Sequence, residues 1–282
     1  MAMSERTAGE LKAAGNERRF ALLKGARRIW AVSAVHGEAA MLARLHAAIA
    51  ERWQPLDRIV YLGNMIGRGK AVLETMEELL AFRRQLLAVP NAIPEDVVYL
   101  RGSQEEMWQK LLQLQFATDP RGVLKWMLDH GVDATLEAYG GSPGDGLNEA
   151  RHGPLSLTRW TSGLRQAMQR RPGHFQVMAE LRRAAMSDDH AFLFVHAGID
   201  PGRPLETQQD TFWWGHPACA ALTEPYAGYA RVVRGFDRRH PGVEAADHLL
   251  TLDGGAGFGG PLIAALLAPG TGVVERLQIE PA

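Results

Sequence analysis

The order of the apolar segments along this chain predicts an α/β protein with a largely parallel sheet and a helical insertion. Short apolar segments alternate with longer segments whose apolar residues recur at helical spacing, a pattern typical of β-α-β units. The chain between about residues 104 and 188 shows helical spacing only. This part is therefore predicted to be an insertion into the α/β domain.

The predicted strands are short apolar runs, several of which stop at a glycine. They are Arg27–Val35, Asp57–Leu62, Asp96–Leu100, Ala191–Val195, Ala230–Arg234, His248–Leu252 and Val273–Ile279. Because these runs lack polar alternation, we expect sheets that are buried on both faces.

The predicted helices carry apolar residues three or four positions apart, as Leu73, Met76 and Leu80 do. They are Glu38–Trp53, Lys70–Leu87, Glu105–Phe116, Pro120–His130, Leu155–Arg171 and Gly173–Met186. Tyr139–Asp145 is rich in Gly, Pro and Asp and is predicted to be a loop.

Domain organisation follows from the same pattern. Residues 28–282 are predicted to form one α/β domain, with the helical insertion at about 104–188. Charged residues interrupt residues 1–27, which contain no apolar signal-peptide region, so a helical or flexible N-terminal segment is expected there.

Composition excludes several classes of protein. With 31 Lys and Arg against 32 Asp and Glu, the formal charge is −1, so non-specific nucleic-acid binding is not expected. No apolar run approaches the roughly 18–20 residues of a membrane span. Cys219 is the only cysteine and cannot form an internal disulfide, which indicates a reducing compartment and a cytoplasmic protein.

Functional groups in open α/β sheets collect just past the carboxyl ends of the strands. Most of the segments at these positions place a polar or charged group near a glycine. The segments are Ser33–Gly37 (SAVHG), Gly63–Gly69 (GNMIGRG), Arg101–Glu105 (RGSQE), Val195–Gly198 (VHAG) and Arg234–Asp237 (RGFD). Three longer motifs accompany them: Phe194–Pro201 (FVHAGIDP), Phe212–Gly215 (FWWG) and Asp253–Leu262 (DGGAGFGGPL).

In this order and spacing, the segments resemble the calcineurin-like metallophosphoesterases over about residues 28–280. The branch they resemble contains the protein Ser/Thr phosphatases and the bacterial diadenosine tetraphosphatases. The resemblance implies a four-layer α/β/β/α sandwich with two facing mixed sheets. It also implies that Gly254–Gly260 is a tight strand-to-helix turn, and Gly260-Pro261 lacks the Lys-Ser/Thr that a P-loop needs.

The family binds two divalent metals, and this chain departs from its motifs. At the family's ligand positions His36 and His196 are retained, whereas the other four carry Ala34, Asn64, Ser103 and Phe236. Two close divalent cations repel each other unless carboxylates lie between them, so no dinuclear site and no metal cofactor are expected. His36, Asn64 and His196 remain a candidate site for a single Mn, Fe, Zn or Ni ion.

Catalysis is also expected to be lost. Gln104 stands at the position of the family's catalytic histidine, and Gly67 stands at that of the acid that orients it. A glutamine side chain cannot donate a proton to a leaving alkoxide.

An anion site is predicted from the remaining cations. Arg101 occupies the position of a phosphate-contacting arginine in the family, and Arg68 and Asn64 complete the predicted site. Two alternatives stay open: Arg68 holds its loop, and Arg101 pairs with Glu105 or Glu106.

Other residues have competing interpretations. His240 either replaces the missing histidine or lies in a solvated loop, and the first option requires the loop to double back. His216 is expected to be a surface or core residue, and Trp213-Trp214 to be core aromatics rather than a stacking platform. Cys219 is expected to be inert.

Three hypotheses for function follow. The first is a pseudophosphatase that binds a protein partner or a phosphate-like anion. The second is a phosphoester hydrolase, acting on phosphoproteins or dinucleoside polyphosphates, with a rearranged or single metal. The third is a scaffold subunit with a vestigial pocket, which an exposed apolar patch on the insertion would favour.

Overall fold

The computed structural model describes residues 19–281, which form two β-sheets with helices packed on them. The first 18 residues of the predicted N-terminal segment lie outside the described residues. Within the same predicted segment, Phe20–Leu23 forms strand β1, which pairs in parallel with a later strand, Ala184–Ser187. Among residues 19–281, no helix is long and apolar enough to cross a membrane.

The first sheet has five strands in the order β11-β10-β2-β3-β4. Its strands are β2 (Arg28–Val32), β3 (Asp57–Tyr61), β4 (Val97–Tyr99), β10 (Leu262–Ala268) and β11 (Gly272–Ile279). Strands β2, β3 and β4 are parallel, whereas β10 runs antiparallel to both of its neighbours. The carboxyl ends of three parallel strands therefore meet at one edge.

The second sheet has six strands in the order β1-β5-β6-β7-β9-β8. Besides β1 they are β5 (Ala184–Ser187), β6 (Phe192–Val195), β7 (Arg231–Arg234), β8 (Gly242–Ala245) and β9 (Leu249–Asp253). Strands β6, β7 and β9 are parallel, and β5 and β8 run antiparallel to their neighbours β6 and β9. Both sheets are mixed, as the resemblance implied.

The helices cover the outer faces of the sheets. They are α1 (Ala39–Ala50), α2 (Val72–Leu87), α3 (Ser103–Leu111), α4 (Pro120–Asp129), α5 (Asp133–Ala138), α6 (Pro143–Glu149), α7 (Pro154–Gln169), α8 (His174–Glu180) and α9 (Thr211–Trp214). Helices α3 to α8 occupy the part of the chain that was predicted to be a helical insertion.

Three apolar clusters define the layers. One lies between the sheets and joins Ile29 and Val60 of the first sheet to Phe194 and Val233 of the second. A larger cluster packs α1, α2 and the helices of residues 103–180 on the outer face of the first sheet. The third covers the outer face of the second sheet with Phe212 and other side chains of the segment after β6. The predicted sandwich of two facing sheets is confirmed.

All seven predicted strands are present, and several local predictions need correction. The predicted helix Gly173–Met186 ends at Glu180, and its last residues form β5. The predicted loop Tyr139–Asp145 contains the start of α6, where the Ser142 hydroxyl accepts a hydrogen bond from Asp145 N at 3.1 Å. The turn Gly254–Gly260 joins β9 to β10, so it connects two strands of different sheets rather than a strand and a helix.

Candidate functional site

A pocket of about 250 Å³ lies where the carboxyl ends of the parallel strands of both sheets meet. It collects the segments after β2, β3, β4 and β7, the β9–β10 turn, and residues near α4 and α9. Its lining residues are His36, Asn64, Arg68, Ser103, Gln104, Met107, His130, Trp213, Trp214, Phe236, Arg238, His240 and Phe258. This arrangement agrees with the prediction that functional groups gather just past the carboxyl ends of the strands.

Four of these residues hold a left-handed backbone that side chains other than glycine adopt uncommonly. They are His36 (φ +53°), Asn64 (φ +52°), Arg68 (φ +52°) and His240 (φ +47°). Such strain is typical of residues whose side chains are held in a site by the surrounding structure.

Asn64 is the centre of a closed hydrogen-bond network. Its Oδ1 accepts hydrogen bonds from Gln104 N at 2.9 Å and from the Ser103 hydroxyl at 3.2 Å. Its Nδ2 therefore faces His36 Nε2, to which it donates at 3.3 Å. Gly102 approaches so closely that a Cβ there would overlap Asn64. The amide thus has protein partners on both of its polar ends.

Glu105 is a buried carboxylate. The sequence predicted for it only an ion pair with Arg101, as one of two alternatives. Its two oxygens accept hydrogen bonds from the backbone N–H groups of Asn64, Met65, Ile66 and Gly102, at 2.7–3.2 Å. Burial raises the pKa of Glu105, and the backbone N–H groups oppose that shift. Glu105 therefore ties the β3 loop to the start of α3.

The two retained histidines are both buried and favour the neutral form. Burial, together with the charges of Arg68, His196 and His240, holds the pKa of His36 well below its ordinary value. Burial also lowers the pKa of His196 to about 4. His196 Nδ1 donates to the Leu62 carbonyl at 2.7 Å, and its ring stacks on Phe236.

These two rings also carry unpartnered nitrogens. His36 Nδ1 and His196 Nε2 are buried and have no hydrogen-bond partner among residues 19–281. Because Asn64 supplies a hydrogen to His36 Nε2, the hydrogen of neutral His36 resides on Nδ1.

The predicted anion-binding residues separate in the structure. Arg68 and Asn64 line the pocket, and the Arg68 guanidinium lies 4.2 Å from the centre of the Phe258 ring. Arg101 lies outside the pocket lining and pairs with Glu106 at 3.0 Å. Its guanidinium faces a neighbouring depression that Arg183 and Trp213 also line. One alternative noted for Arg101, a pair with Glu106, is therefore present.

His240 lies in the pocket, so the expectation of a solvated loop histidine is wrong. The loop after β7 doubles back, and His240 Nδ1 donates to the buried Asp253 carboxylate at 2.9 Å. The sequence signal was the Asp at the end of β9, a strand that pairs with β7. Burial raises the pKa of Asp253, against its hydrogen bonds from Asp237 N, His240 and Gly255 N.

The remaining candidates are placed as follows. His216 is exposed, as a surface histidine would be, and Cys219 is buried, with a pKa raised by that burial. Trp213 is buried in the core of the outer layer. Trp214 is half-buried, and both tryptophans reach the pocket wall.

The residues present do not fit a dinuclear metal centre. No group of three or more His, Cys, Asp or Glu side chains within residues 19–281 is arranged to hold a metal ion. Asn64, the candidate oxygen ligand beside His36, has its Oδ1 committed to two donors. The pocket lining contains two arginines and, within the described residues, no carboxylate.

The fold and this edge of the sheets define a protein with the metallophosphoesterase fold. Among solved structures, the chain is similar to a proposed diadenosine tetraphosphatase, with 18% identity and a TM-score of 0.54 over 94% of this chain and 99% of that one. It is also similar to a protein serine/threonine phosphatase from Saccharomyces cerevisiae, with 12% identity and a TM-score of 0.56 over 94% and 84% of the two chains.

A cold-active protein tyrosine phosphatase is similar as well, with 13% identity and a TM-score of 0.52 over 93% and 81% of the two chains. Neither a protein-family model nor a curated protein sequence matches the chain. At these identities the likeness establishes the fold alone.

Proposed function

We propose that this chain is a pseudophosphatase, a protein with the metallophosphoesterase fold that has lost dinuclear-metal catalysis and binds a phosphate-like anion. The observation that carries the proposal is Asn64, a neutral amide at the position where the resemblance places the bridging aspartate. Its hydrogen bonds to Ser103, Gln104 and His36 occupy the polar atoms that would face a metal. Gln104, at the catalytic-histidine position, donates to the His130 carbonyl and supplies no acidic proton.

Charge supports an anionic ligand. Arg68 and Arg238 line the pocket without a side-chain hydrogen bond or ion pair among the described residues. A guanidinium binds phosphate oxygens strongly without help from a metal.

The loss of catalysis is tested with p-nitrophenyl phosphate, bis-p-nitrophenyl phosphate and diadenosine tetraphosphate, with and without added Mn²⁺. We expect background hydrolysis, and well under one equivalent of Mn, Fe, Zn or Ni per purified chain by elemental analysis. Two tightly held metals would overturn the proposal. Turnover that disappears in a His36→Ala, His196→Ala double variant would support an active hydrolase instead.

Anion binding is tested separately, by calorimetry with inorganic phosphate in the presence of EDTA. We expect binding to the wild type and weaker binding to Arg68→Ala. Equal heats for both proteins would show that Arg68 holds its loop only.

A scaffold role is the second candidate, favoured by exposed apolar side chains in the helical part of the chain. Phe116 is 82% exposed and Leu155 is 65% exposed. If this surface docks a protein partner, then Phe116→Ser and Leu155→Ser release that partner in co-purification without changing thermal stability.

A further inference from the structure

The pocket contains a carboxylate–histidine pair that the fold comparison does not assign. Asp253, at the end of β9, is buried and accepts hydrogen bonds from Asp237 N and His240 Nδ1, both at 2.9 Å, and from Gly255 N at 3.0 Å. This set of donors holds the carboxylate in one orientation. The carboxylate in turn fixes which ring nitrogen of His240 carries its hydrogen bond.

Two phenylalanine rings also pack beside the His240 ring. Its centre lies 4.3 Å from that of Phe258 and 5.7 Å from that of Phe236. Because Nδ1 is committed to Asp253, Nε2 is the nitrogen that remains for a ligand in the pocket. His240 is 22% exposed, so a ligand can reach it.

The charges that line the pocket beside this ring suit a phosphate group. Arg68 and Arg238 supply positive charge, and the lining within the described residues contains no carboxylate. A phosphate monoester carries up to two negative charges and a sulfate ester carries one, so two guanidinium groups favour the phosphate.

We propose that His240, positioned by Asp253, binds the phosphate group of an aryl phosphate monoester together with Arg68 and Arg238. This rests on the proposed function as a metal-free anion-binding protein. Phe236, Phe258 and Trp214 form aromatic walls beside the phosphate site, and they pack against the ring of the ligand. A histidine–carboxylate pair thereby supplies a contact to phosphate without a metal.

The test is calorimetry in EDTA with phenyl phosphate, methyl phosphate and phenyl sulfate as probes. The wild type binds phenyl phosphate most tightly, methyl phosphate more weakly because it lacks the ring, and phenyl sulfate at least tenfold more weakly. His240→Asn keeps a donor for Asp253 and removes Nε2. A charge-assisted hydrogen bond corresponds to a loss of roughly ten- to hundredfold in affinity for phenyl phosphate.

His240→Gln, whose amide reaches the position of Nε2, recovers part of that loss. His248→Asn is the matched control, because His248 is half-buried and lies just before the opposite end of β9 from Asp253. It binds as the wild type does. Thermal unfolding of each variant verifies that it is folded.

In a second readout, phenyl phosphate shifts the ¹⁵N resonance of His240 Nε2 and leaves His248 unchanged. If the wild type binds phenyl phosphate but His240→Asn binds it equally well, this inference fails and the anion-binding function stands. If the wild type binds none of these probes and no inorganic phosphate, the anion-binding function fails together with the inference. Equal binding of phenyl sulfate and phenyl phosphate overturns the assignment of a doubly charged phosphate as the preferred group.

Discussion

Asn64 and Glu105 form hydrogen bonds with different polar groups at the ends of β3 and β4. The neutral amide of Asn64 forms hydrogen bonds with the side chains of Ser103 and His36. The Glu105 carboxylate accepts hydrogen bonds from backbone N–H groups beneath the pocket. A carboxylate is thus present near the site, but its oxygens are directed to the backbone. At the scale of the residue, the charge of the pocket is therefore set by its arginines.

The Glu105 network gives a prediction for stability. In Glu105→Gln, one oxygen that accepts two backbone hydrogen bonds becomes an NH₂ group, so donors face donors in a buried site. We expect the free energy of unfolding to fall by about 2–3 kcal/mol. Urea denaturation measures it, and Glu106→Gln, which weakens the partly exposed pairs with Arg101 and Lys110, costs about 1 kcal/mol or less. Equal losses for the two variants would contradict this account.

The buried histidines predict a dependence of stability on pH. The pKa of His196 falls from 6.5 to about 4 on folding, so the unfolded chain binds its proton first as the pH is lowered. The free energy of unfolding therefore decreases between about pH 6.5 and pH 4, with His196 contributing about 3 kcal/mol at the lower end.

His196→Asn tests this contribution, because its amide still donates to the Leu62 carbonyl but does not titrate. Urea denaturation across the pH range is expected to give a shallower slope for this variant than for the wild type. The exposed His216→Asn control retains the wild-type slope. A His196→Asn slope equal to that of the wild type would exclude His196 as the source.

At the scale of the element, the β9–β10 turn builds one wall of the pocket. It crosses from one sheet to the other and brings Phe258 beside His36, with ring centres 5.4 Å apart, and beneath Arg68. Gly257 (φ +80°) lies so close to His36 that a Cβ there would overlap the histidine Cβ. The glycines thus allow the turn to approach the pocket residues.

The turn offers a matched pair of variants. Gly259→Ala introduces a Cβ at φ +87° with nothing within 4 Å, so it costs about 1–2 kcal/mol from backbone strain alone. Gly257→Ala adds the overlap with His36, and we expect at least twice that loss together with weaker phosphate binding. Thermal and urea unfolding measure the difference. Equal effects on stability would show that the turn relaxes away from His36.

At the scale of the whole molecule, two facing sheets hold the pocket between rigid strand ends. Ion pairs join the strands to their neighbours, for example the buried pair of Arg58 with Asp96 at 3.0 Å and the partly buried pair of Arg28 with Asp57 at 2.6 Å. Apolar side chains fill the space between the sheets. The pocket geometry therefore depends on packing and hydrogen bonds of the chain itself.

This organisation predicts that metals do not affect stability. A ligand that binds only the folded state raises the melting temperature by mass action, and its removal lowers it. We expect the same melting temperature in EDTA, in buffer alone and with added Mn²⁺ or Zn²⁺. A fall in EDTA that Mn²⁺ reverses would instead support the single-metal site of His36, Asn64 and His196.

Local pattern alone was sufficient for much of this architecture. Apolar runs and helical spacing are properties of neighbouring residues, so the sequence predicted the strands that end at the pocket. The motif spacing also located Asn64 and Arg68 in it. Strand β5 (Ala184–Ser187) could not be predicted, because its short, alanine-rich segment becomes a strand through pairing with β1 and β6.

The sequence by itself thus determined an α/β chain with a helical segment at about 104–188, and its resemblance to the metallophosphoesterases implied the two facing sheets. The tertiary structure decided which polar groups meet. The hydrogen bonds from Asn64 N to Glu105 and from His240 to Asp253 join residues 41 and 13 positions apart. Such contacts depend on the conformations of the loops and on the pairing of β7 with β9. No local sequence pattern specifies either, because both are set by packing between residues that are distant in the sequence.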